Sequence, residues 1–176
     1  MELDKLAKRA AKKFEYKRYL YPELEADQSK IFKAIVGPRG VGKTVLLQQL
    51  CSNTQNSFYM SADTVEAELD LFDLVKMLQQ HYGFQAIFID EIHFNKKYQK
   101  ALKNIYDFLD VRIIFTSSMA VSLVNSAFDL SLRVMLFEFH LFSFWEFLSL
   151  KGEKINPLSL KDLVEGHIPT IFNRYG

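Results

Sequence analysis

The segment from Gly37 to Thr44 carries the residue types that a phosphate-binding loop needs. It reads Gly-Pro-Arg-Gly-Val-Gly-Lys-Thr and satisfies the pattern G-x-x-x-x-G-K-[S/T] at every required position. Its glycines let the backbone approach a polyphosphate closely with the N–H groups turned inward. The ammonium group of Lys43 would meet the β- and γ-phosphates, and the hydroxyl of Thr44 would bind Mg²⁺. The pattern therefore predicts a site for a nucleoside triphosphate.

The surroundings of this loop favour the same interpretation. An apolar run, Ile31–Val36, precedes it, and a helix predicted over Lys43–Cys51 follows with its positive dipole end toward the anion. A glycine-rich turn without a ligand is the alternative. The residues expected to contact ATP or ADP are Gly37, Pro38, Arg39, Gly40, Val41, Gly42, Lys43, Thr44 and Val45.

Two carboxylates close a second apolar run, Gln85–Asp90. Asp90 stands where an aspartate would hold Mg²⁺ through water, opposite Thr44. Glu91 would polarise or orient a water that attacks the γ-phosphate. A solvated Asp-Glu pair at a strand end is the alternative, but the phosphate loop upstream favours the metal and catalytic roles.

The glutamate also favours one class of phosphate-loop protein over others. A small-molecule kinase transfers phosphate to its acceptor and activates no water. A GTPase needs Asn-Lys-x-Asp to read guanine, and the nearest string, Asn95-Lys-Lys-Tyr98, lacks the aspartate. Asp90-Glu-Ile-His93 is similar to a helicase box, but a helicase core needs two such domains and 176 residues leave no room for them. Hydrolysis of ATP is therefore preferred.

Serines follow the fourth apolar run, Val111–Thr116. A polar side chain at this strand tip would lie between the carboxylates and the γ-phosphate and would position the attacking water. Ser118 is the first candidate for that role and Ser117 the second. The alternative is a serine turn, or the N-cap of a helix over Met119–Ala127.

Alternating strands and helices must position these residues. The predicted strands are Ile31–Val36, Ser57–Ser61, Gln85–Asp90, Val111–Thr116 and Val134–Phe139. Apolar stripes predict helices over 71–82, with Asp70 as N-cap, and over 98–108. A capping box, Ser143-Phe-Trp-Glu146, predicts a short helix that ends near Leu150. We expect an α/β three-layer sandwich with a five-stranded parallel sheet and ligands at the carboxyl ends of its strands.

The first 18 residues show a basic amphipathic pattern, with Leu3, Leu6, Ala7, Ala10 and Phe14 on one stripe and basic residues between them. We predict a helix that docks through this stripe; the alternative is a contact with DNA phosphates or an acidic partner. The net charge of +1 restricts any such contact to a local patch. A single cysteine, no apolar stretch that would span a bilayer and no secretory signal favour a cytoplasmic protein without membrane contact.

The ordered set of phosphate loop, Asp-Glu pair, polar strand tip and arginine before the fifth strand resembles the AAA+ ATPases. Finer details resemble a prokaryotic subgroup in which the AAA+ core precedes a restriction-endonuclease-like domain of unknown function. These details are the Gly-Pro-Arg start of the loop, Asp90-Glu-Ile-His93, Thr116-Ser-Ser118, Leu132-Arg133, Phe137-Glu138 and the block Leu141–Phe147. The resemblance covers roughly Tyr16 to Tyr175.

This resemblance implies further roles and boundaries. Arg133 would be an arginine finger that reaches the γ-phosphate in a neighbouring copy of a homo-oligomer; a surface cation at a helix C-terminus is the alternative. Gly166-His-Ile-Pro169 resembles the start of a helical lid. The chain would then comprise an N-terminal helix over 1–20, an AAA+ core over 21–152 and a truncated lid over 153–176, and would be a fragment of a longer protein or a truncated gene product.

Together these features predict Mg²⁺-dependent hydrolysis of ATP to ADP and phosphate. The residues expected to act in catalysis are Lys43, Glu91, Ser118 and Arg133, and those expected to bind the metal are Thr44 and Asp90. One alternative is a switch or scaffold that binds ATP with little turnover. Another is a nucleic-acid-associated module that uses the basic N-terminal helix.

Overall fold

The computed structural model describes residues 2–64, 70–119, 130 and 132–153. Its helices are α1 (Glu2–Ala11), α2 (Tyr21–Ala26), α3 (Lys43–Asn53), α4 (Leu71–Tyr82), α5 (Tyr98–Phe108) and α6 (Phe144–Leu150), with a 3₁₀ turn at Ile92–Phe94. Its strands are β1 (Phe32–Val36), β2 (Ser57–Ser61), β3 (Ala86–Asp90), β4 (Arg112–Ser117) and β5 (Val134–Glu138). The helix predicted over Met119–Ala127 lies outside the described residues except for Met119. The predicted lid segment lies outside them beyond Glu153.

All five strands are parallel and follow the order β2-β3-β4-β1-β5. The predicted five-stranded parallel sheet is therefore confirmed, with strand limits that differ from the prediction by at most one residue. The strand β4 lies between β1, which leads into the glycine-rich loop, and β3, which ends in the two acids. Consequently the polar tip of β4 stands between the loop and the carboxylates.

Helices cover both faces of the sheet, as in a three-layer sandwich. Alternate residues of β1 point to opposite faces. Phe32 belongs to the cluster that α4 and α5 complete, with Leu102 at its centre. Ile35 belongs to the opposite cluster, which α1, α2 and α3 complete, with Leu47 at its centre. This packing holds both the start of the loop and the strand tips on a rigid frame.

The N-terminal helix is shorter than predicted. It ends at Ala11 rather than near Arg18. In the segment that follows, the side-chain amide of Gln49 on α3 donates to the carbonyls of Phe14 and Tyr16, at 2.6 and 3.1 Å. These long-range hydrogen bonds hold the backbone in a non-helical conformation, so tertiary contacts override the helical periodicity of the sequence.

The face through which α1 docks agrees with the predicted stripe only in part. Ala7 and Ala11 are buried, whereas Leu3 and Leu6 are 49% and 51% exposed. The small alanine side chains let the helix lie close to α3 and to β2, an edge strand of the sheet. The alanine part of the predicted stripe therefore docks, whereas its leucine part faces outward.

Two predicted helix caps are confirmed. Asp70 accepts hydrogen bonds from the backbone N–H groups of Phe72 and Asp73 at the start of α4. Ser143 and Glu146 form a reciprocal capping box at the start of α6, which lies in the second of two compact units, residues 143–176. No helix among the described residues has the length and apolar character that crossing a membrane requires.

Candidate functional site

The loop between β1 and α3 contains glycines for two different physical reasons. Gly40 and Gly42 have φ angles of +86° and +96°, in the left-handed region that favours glycine. A Cβ atom on Gly37 would lie 2.2 Å from the carbonyl oxygen of Phe139, so a side chain there has no room. The spacing of the glycines is thus set by the backbone path of the loop.

The helix α3 begins directly after this loop. Gly42 is its N-cap, and no side chain caps the first turn. The backbone N–H groups of that turn, with the positive end of the helix dipole, therefore suit an anion. Thr44 lies in this turn and is exposed. Of the other residues predicted to contact a nucleotide, Pro38 and Arg39 are exposed, Val45 is half-buried and Val41 is buried.

The side chain of Lys43 joins the loop to the end of β3. Its ammonium group donates to the carbonyls of Gly37 and Pro38, both at 2.9 Å, and lies 3.9 Å from Oε1 of Glu91. Burial lowers the pKa of Lys43, and the charges of Glu91 and Asp90 oppose that shift. The loop and the acidic pair, 40-odd residues apart in the sequence, therefore form one site.

Asp90 is held by hydroxyl groups from both neighbouring strands. Its Oδ1 accepts a hydrogen bond from Thr116 on β4, and its Oδ2 accepts one from the hydroxyl of Tyr59 on β2 at 3.0 Å. The Thr116 hydroxyl in turn accepts the backbone N–H of Glu91 at 2.8 Å. Asp90 is 4% exposed, so its carboxylate is oriented by these donors rather than by bulk water.

Glu91 has an unusual backbone conformation, with φ at +48° in the left-handed region. A non-glycine residue in this region is strained and is often found at functional sites. Its Oε2 accepts hydrogen bonds from the backbone N–H and the hydroxyl of Ser118, both at 3.0 Å, and lies 3.3 Å from Nδ1 of His93. The turn after β3 thus directs this carboxylate toward Lys43.

The two serines after β4 have different partners. Ser118 contacts Glu91, as described above. The hydroxyl of Ser117 accepts the backbone N–H of Met119 at 3.1 Å and lies 3.4 Å from Nδ1 of His93. Of the two candidates for a residue beside the acids, Ser118 is the one in direct contact with Glu91.

Arg133 lies before β5 and is not grouped with Lys43 and the acids. Its guanidinium group forms a two-point ion pair with Asp107 on α5, at 3.0 and 3.3 Å. It also lies 5.7 Å from the centre of the Tyr106 ring. Within this chain, the ion pair holds Arg133 against α5.

Comparison with known proteins identifies the family. A family model described as an AAA domain matches residues 28–148, more than half of the chain. The chain belongs to this AAA domain family. The matched segment contains the loop, the acidic pair and all five strands, so the assigned family and the observed geometry concern the same part of the chain.

One curated protein and one solved structure are similar to this AAA domain. The uncharacterized protein MJ1637 of Methanocaldococcus jannaschii is 29% identical over 164 residues, which cover 84% of this chain and 34% of that protein. The chain thus spans about a third of the length of this curated relative. The structure of the Walker-type ATPase PABY2304 of Pyrococcus abyssi aligns with a TM-score of 0.51 at 13% identity, covering 77% of this chain and 58% of that one. This second likeness shows a shared fold.

Three residues of the AAA domain site were not assigned roles from the sequence. Thr116 and Tyr59 contact Asp90; Thr116 is visible as a polar residue that ends an apolar strand, whereas nothing in the sequence marks Tyr59. Arg18 is the third. It is 5% exposed and donates to the carbonyl of Val41 in the loop at 2.8 Å and to that of His140 at 2.9 Å.

The oxygen atoms of the AAA domain site suit a hard cation. Asp90 and Thr44 offer a carboxylate and a hydroxyl, which are ligand types that Mg²⁺ prefers. In the described part of the chain, no group of three or more His, Cys, Asp or Glu side chains is arranged to hold a metal. Proteins usually bind Mg²⁺ through one or two carboxylates together with substrate phosphates and water, and Asp90 offers one such carboxylate.

Proposed function

We propose that this AAA domain binds ATP together with Mg²⁺ and hydrolyses it to ADP and phosphate. The observation that carries the proposal is the 3.9 Å approach of the Lys43 ammonium group to the Glu91 carboxylate. It brings a phosphate-binding loop and a candidate water-activating acid to the same place. A triphosphate held by the loop would therefore present its γ-phosphate to Glu91.

Binding rests on the loop and on α3. Backbone N–H groups of the loop and of the first turn of α3 would surround the β- and γ-phosphates. Lys43 would exchange its carbonyl partners for phosphate oxygens. Thr44 and Asp90 would hold Mg²⁺, which when bound neutralises charge on the phosphates.

Hydrolysis needs one water, oriented for in-line attack. Glu91 would accept a hydrogen bond from that water and take its proton as the water oxygen forms a bond to the γ-phosphorus atom. The bond between the γ-phosphorus and the bridging oxygen breaks, and ADP leaves with the electron pair. Ser118, which holds Oε2 of Glu91, would keep the carboxylate in position, and Lys43 would stabilise charge on the transferred group.

Two measurements on the unmodified chain test this proposal. Calorimetry should detect binding of a slowly hydrolysed ATP analogue in the presence of Mg²⁺. Single-turnover release of phosphate from ATP should then follow at a rate above that of protein-free solution. Absence of binding would remove the proposal, whereas binding without release would favour an ATP-dependent switch.

Arg18 provides a further prediction about binding. Its guanidinium group lies 4.4 Å from the Phe139 ring and 4.0 Å from the Phe142 ring, and it holds the loop through the carbonyl of Val41. We expect Arg18→Ala to weaken nucleotide binding about tenfold, because hydrogen bonds from charged donors contribute about 1.5–3 kcal/mol. Calorimetry measures the change.

The control for Arg18 is the conservative variant Arg18→Lys. It keeps the charge but cannot donate to the carbonyls of Val41 and His140 in the same forked geometry. We expect its affinity to fall between those of the unmodified protein and Arg18→Ala. Equal affinity in all three proteins would show that Arg18 does not organise the loop.

A further inference from the structure

Tyr59 reaches from the edge of the sheet to the carboxylate that the proposed function places beside the metal. In the register of β2 and β3, Ser61 pairs with Asp90. Tyr59 lies two residues before Ser61 on β2 and pairs with Phe88. Its side chain is 5% exposed, and its hydroxyl lies 3.0 Å from Oδ2 of Asp90. The hydroxyl is the donor in this contact because a carboxylate oxygen only accepts.

Together with Thr116, Tyr59 determines how the Asp90 carboxylate is rotated. Thr116 donates to Oδ1 and Tyr59 donates to Oδ2, from strands on opposite sides of β3. A carboxylate with one donor on each oxygen has a defined plane, and each oxygen retains acceptor capacity for another partner. The remaining acceptor directions are those offered to Mg²⁺ or to the water bound to it.

Tyr59 is itself held from outside the sheet. Its strand, β2, is an edge strand, and unpaired backbone groups of such strands are normally covered. Oδ1 of Asp4 on α1 accepts the backbone N–H of Tyr59 at 2.9 Å, and the ammonium group of Lys8 donates to the carbonyl of Ser57 at 2.8 Å. Asp4 and Lys8 also pair with each other at 3.2 Å. The helix α1 thus closes the free edge at the residue that contacts Asp90.

We infer that Tyr59 is a positioning residue, secured by α1, that orients Asp90 toward Mg²⁺. This inference rests on the proposed function, because it assigns Asp90 to the metal. The inference connects α1 to the proposed metal ligand through two hydrogen bonds: from the backbone N–H of Tyr59 to Asp4, and from the Tyr59 hydroxyl to Asp90. Residues that orient a metal ligand typically change metal affinity by 10- to 100-fold when they are replaced.

The test measures how strongly Mg²⁺ enhances nucleotide binding. Calorimetry gives the ADP affinity with Mg²⁺ and with a chelator, and the ratio of the two affinities reports on the metal. In Tyr59→Phe we expect this ratio to fall about tenfold with the chelator value unchanged. Tyr21→Phe is the matched control, because Tyr21 is 1% exposed and its hydroxyl donates to a carboxylate too, that of Glu25.

Each outcome has a distinct meaning. An unchanged ratio in Tyr59→Phe would overturn the inference and leave the proposed function standing. An equal loss of affinity with and without Mg²⁺ would also overturn it, because Tyr59 would then act on the fold rather than on the metal. Failure of the unmodified protein to bind ADP at all would remove the proposed function and the inference with it.

A second variant tests the role of α1 without altering Tyr59. Asp4→Ala removes the acceptor for the backbone N–H of Tyr59, while the side chain of Tyr59 stays intact. We expect the same ratio to fall in this variant, by less than in Tyr59→Phe. A normal ratio in Asp4→Ala with a reduced one in Tyr59→Phe would overturn the part of the inference that concerns α1.

Discussion

Replacement of Lys43 by methionine should reduce nucleotide affinity at least 100-fold while the domain stays folded. The ammonium group of Lys43 is the cation that the loop itself directs toward the phosphates, and it lies in a buried position where charge interactions are stronger than in water. Methionine keeps the apolar stem and packing volume but has no charge. Calorimetry with ADP and Mg²⁺ measures the expected loss.

The nucleotide-free protein gives an independent check on this prediction. Because burial lowers the pKa of Lys43, the unfolded chain binds this proton more tightly than the folded chain does. The charged lysine therefore reduces stability fully below its folded pKa, and the reduction is lost progressively as the pH rises from that pKa to the higher pKa of the unfolded chain. Removal of the charge should leave the unfolding temperature of the free protein unchanged or raised.

Ligand-induced stabilisation then separates lost binding from lost folding. A ligand at 100 times its dissociation constant stabilises a folded protein by about 2.7 kcal/mol. We expect ADP with Mg²⁺ to raise the unfolding temperature of the unmodified protein and not that of Lys43→Met. Lys100→Met, at an exposed position on α5, is the control and should respond like the unmodified protein. A normal response in Lys43→Met would remove the phosphate-loop assignment.

Short-range patterns account for what the sequence predicted well. The loop is a contiguous motif whose glycines are required by positive φ angles at Gly40 and Gly42 and by close approach at Gly37. The strands β1 to β4 are apolar runs buried on both faces, which alternate with amphipathic helices, whereas β5 at the sheet edge is mostly exposed. Each of these features depends on residues close together in the chain, so its pattern is legible without the structure.

Long-range contacts account for what the sequence could not show. Tyr59 lies 31 positions before Asp90, and Arg18 lies 23 positions before Val41. Neither has a local signature, because a hydrogen bond between distant strands or segments leaves no periodicity. The orientation of α1 is a similar case: its apolar stripe is evident in the sequence, but only the packing against α3 and the edge strand shows that the alanine part docks and the leucines are exposed.

Ser117 and Ser118 have different partners at the end of β4. The sequence predicted that β4 would end at Thr116, and the strand continues to Ser117. Side chains alternate along a strand, so this extension buries Ser117 beside His93 and leaves the next residue to contact Glu91. Ser118, the first candidate from the sequence, is therefore the serine that contacts Glu91.

Replacement of Glu91 by glutamine should keep ATP binding and reduce phosphate release by about 10²- to 10⁴-fold, the usual contribution of a general base. Glutamine has nearly the same shape, and its side-chain oxygen can still accept the two hydrogen bonds from Ser118. The left-handed backbone of residue 91 is equally strained for both residues. What the amide cannot do is take a proton from water.

Binding and turnover should therefore separate in Glu91→Gln. The substitution removes a negative charge 3.9 Å from Lys43, close to the expected γ-phosphate, so affinity for ATP with Mg²⁺ should be unchanged or higher. Glu25→Gln is the control, at an exposed glutamate near the opposite, amino end of the strands, and should leave both quantities unchanged. Unaltered single-turnover release in Glu91→Gln would mean that another group activates the water. Lost binding would instead mean that the carboxylate supports the loop, and the left-handed turn after β3 would then serve binding rather than hydrolysis.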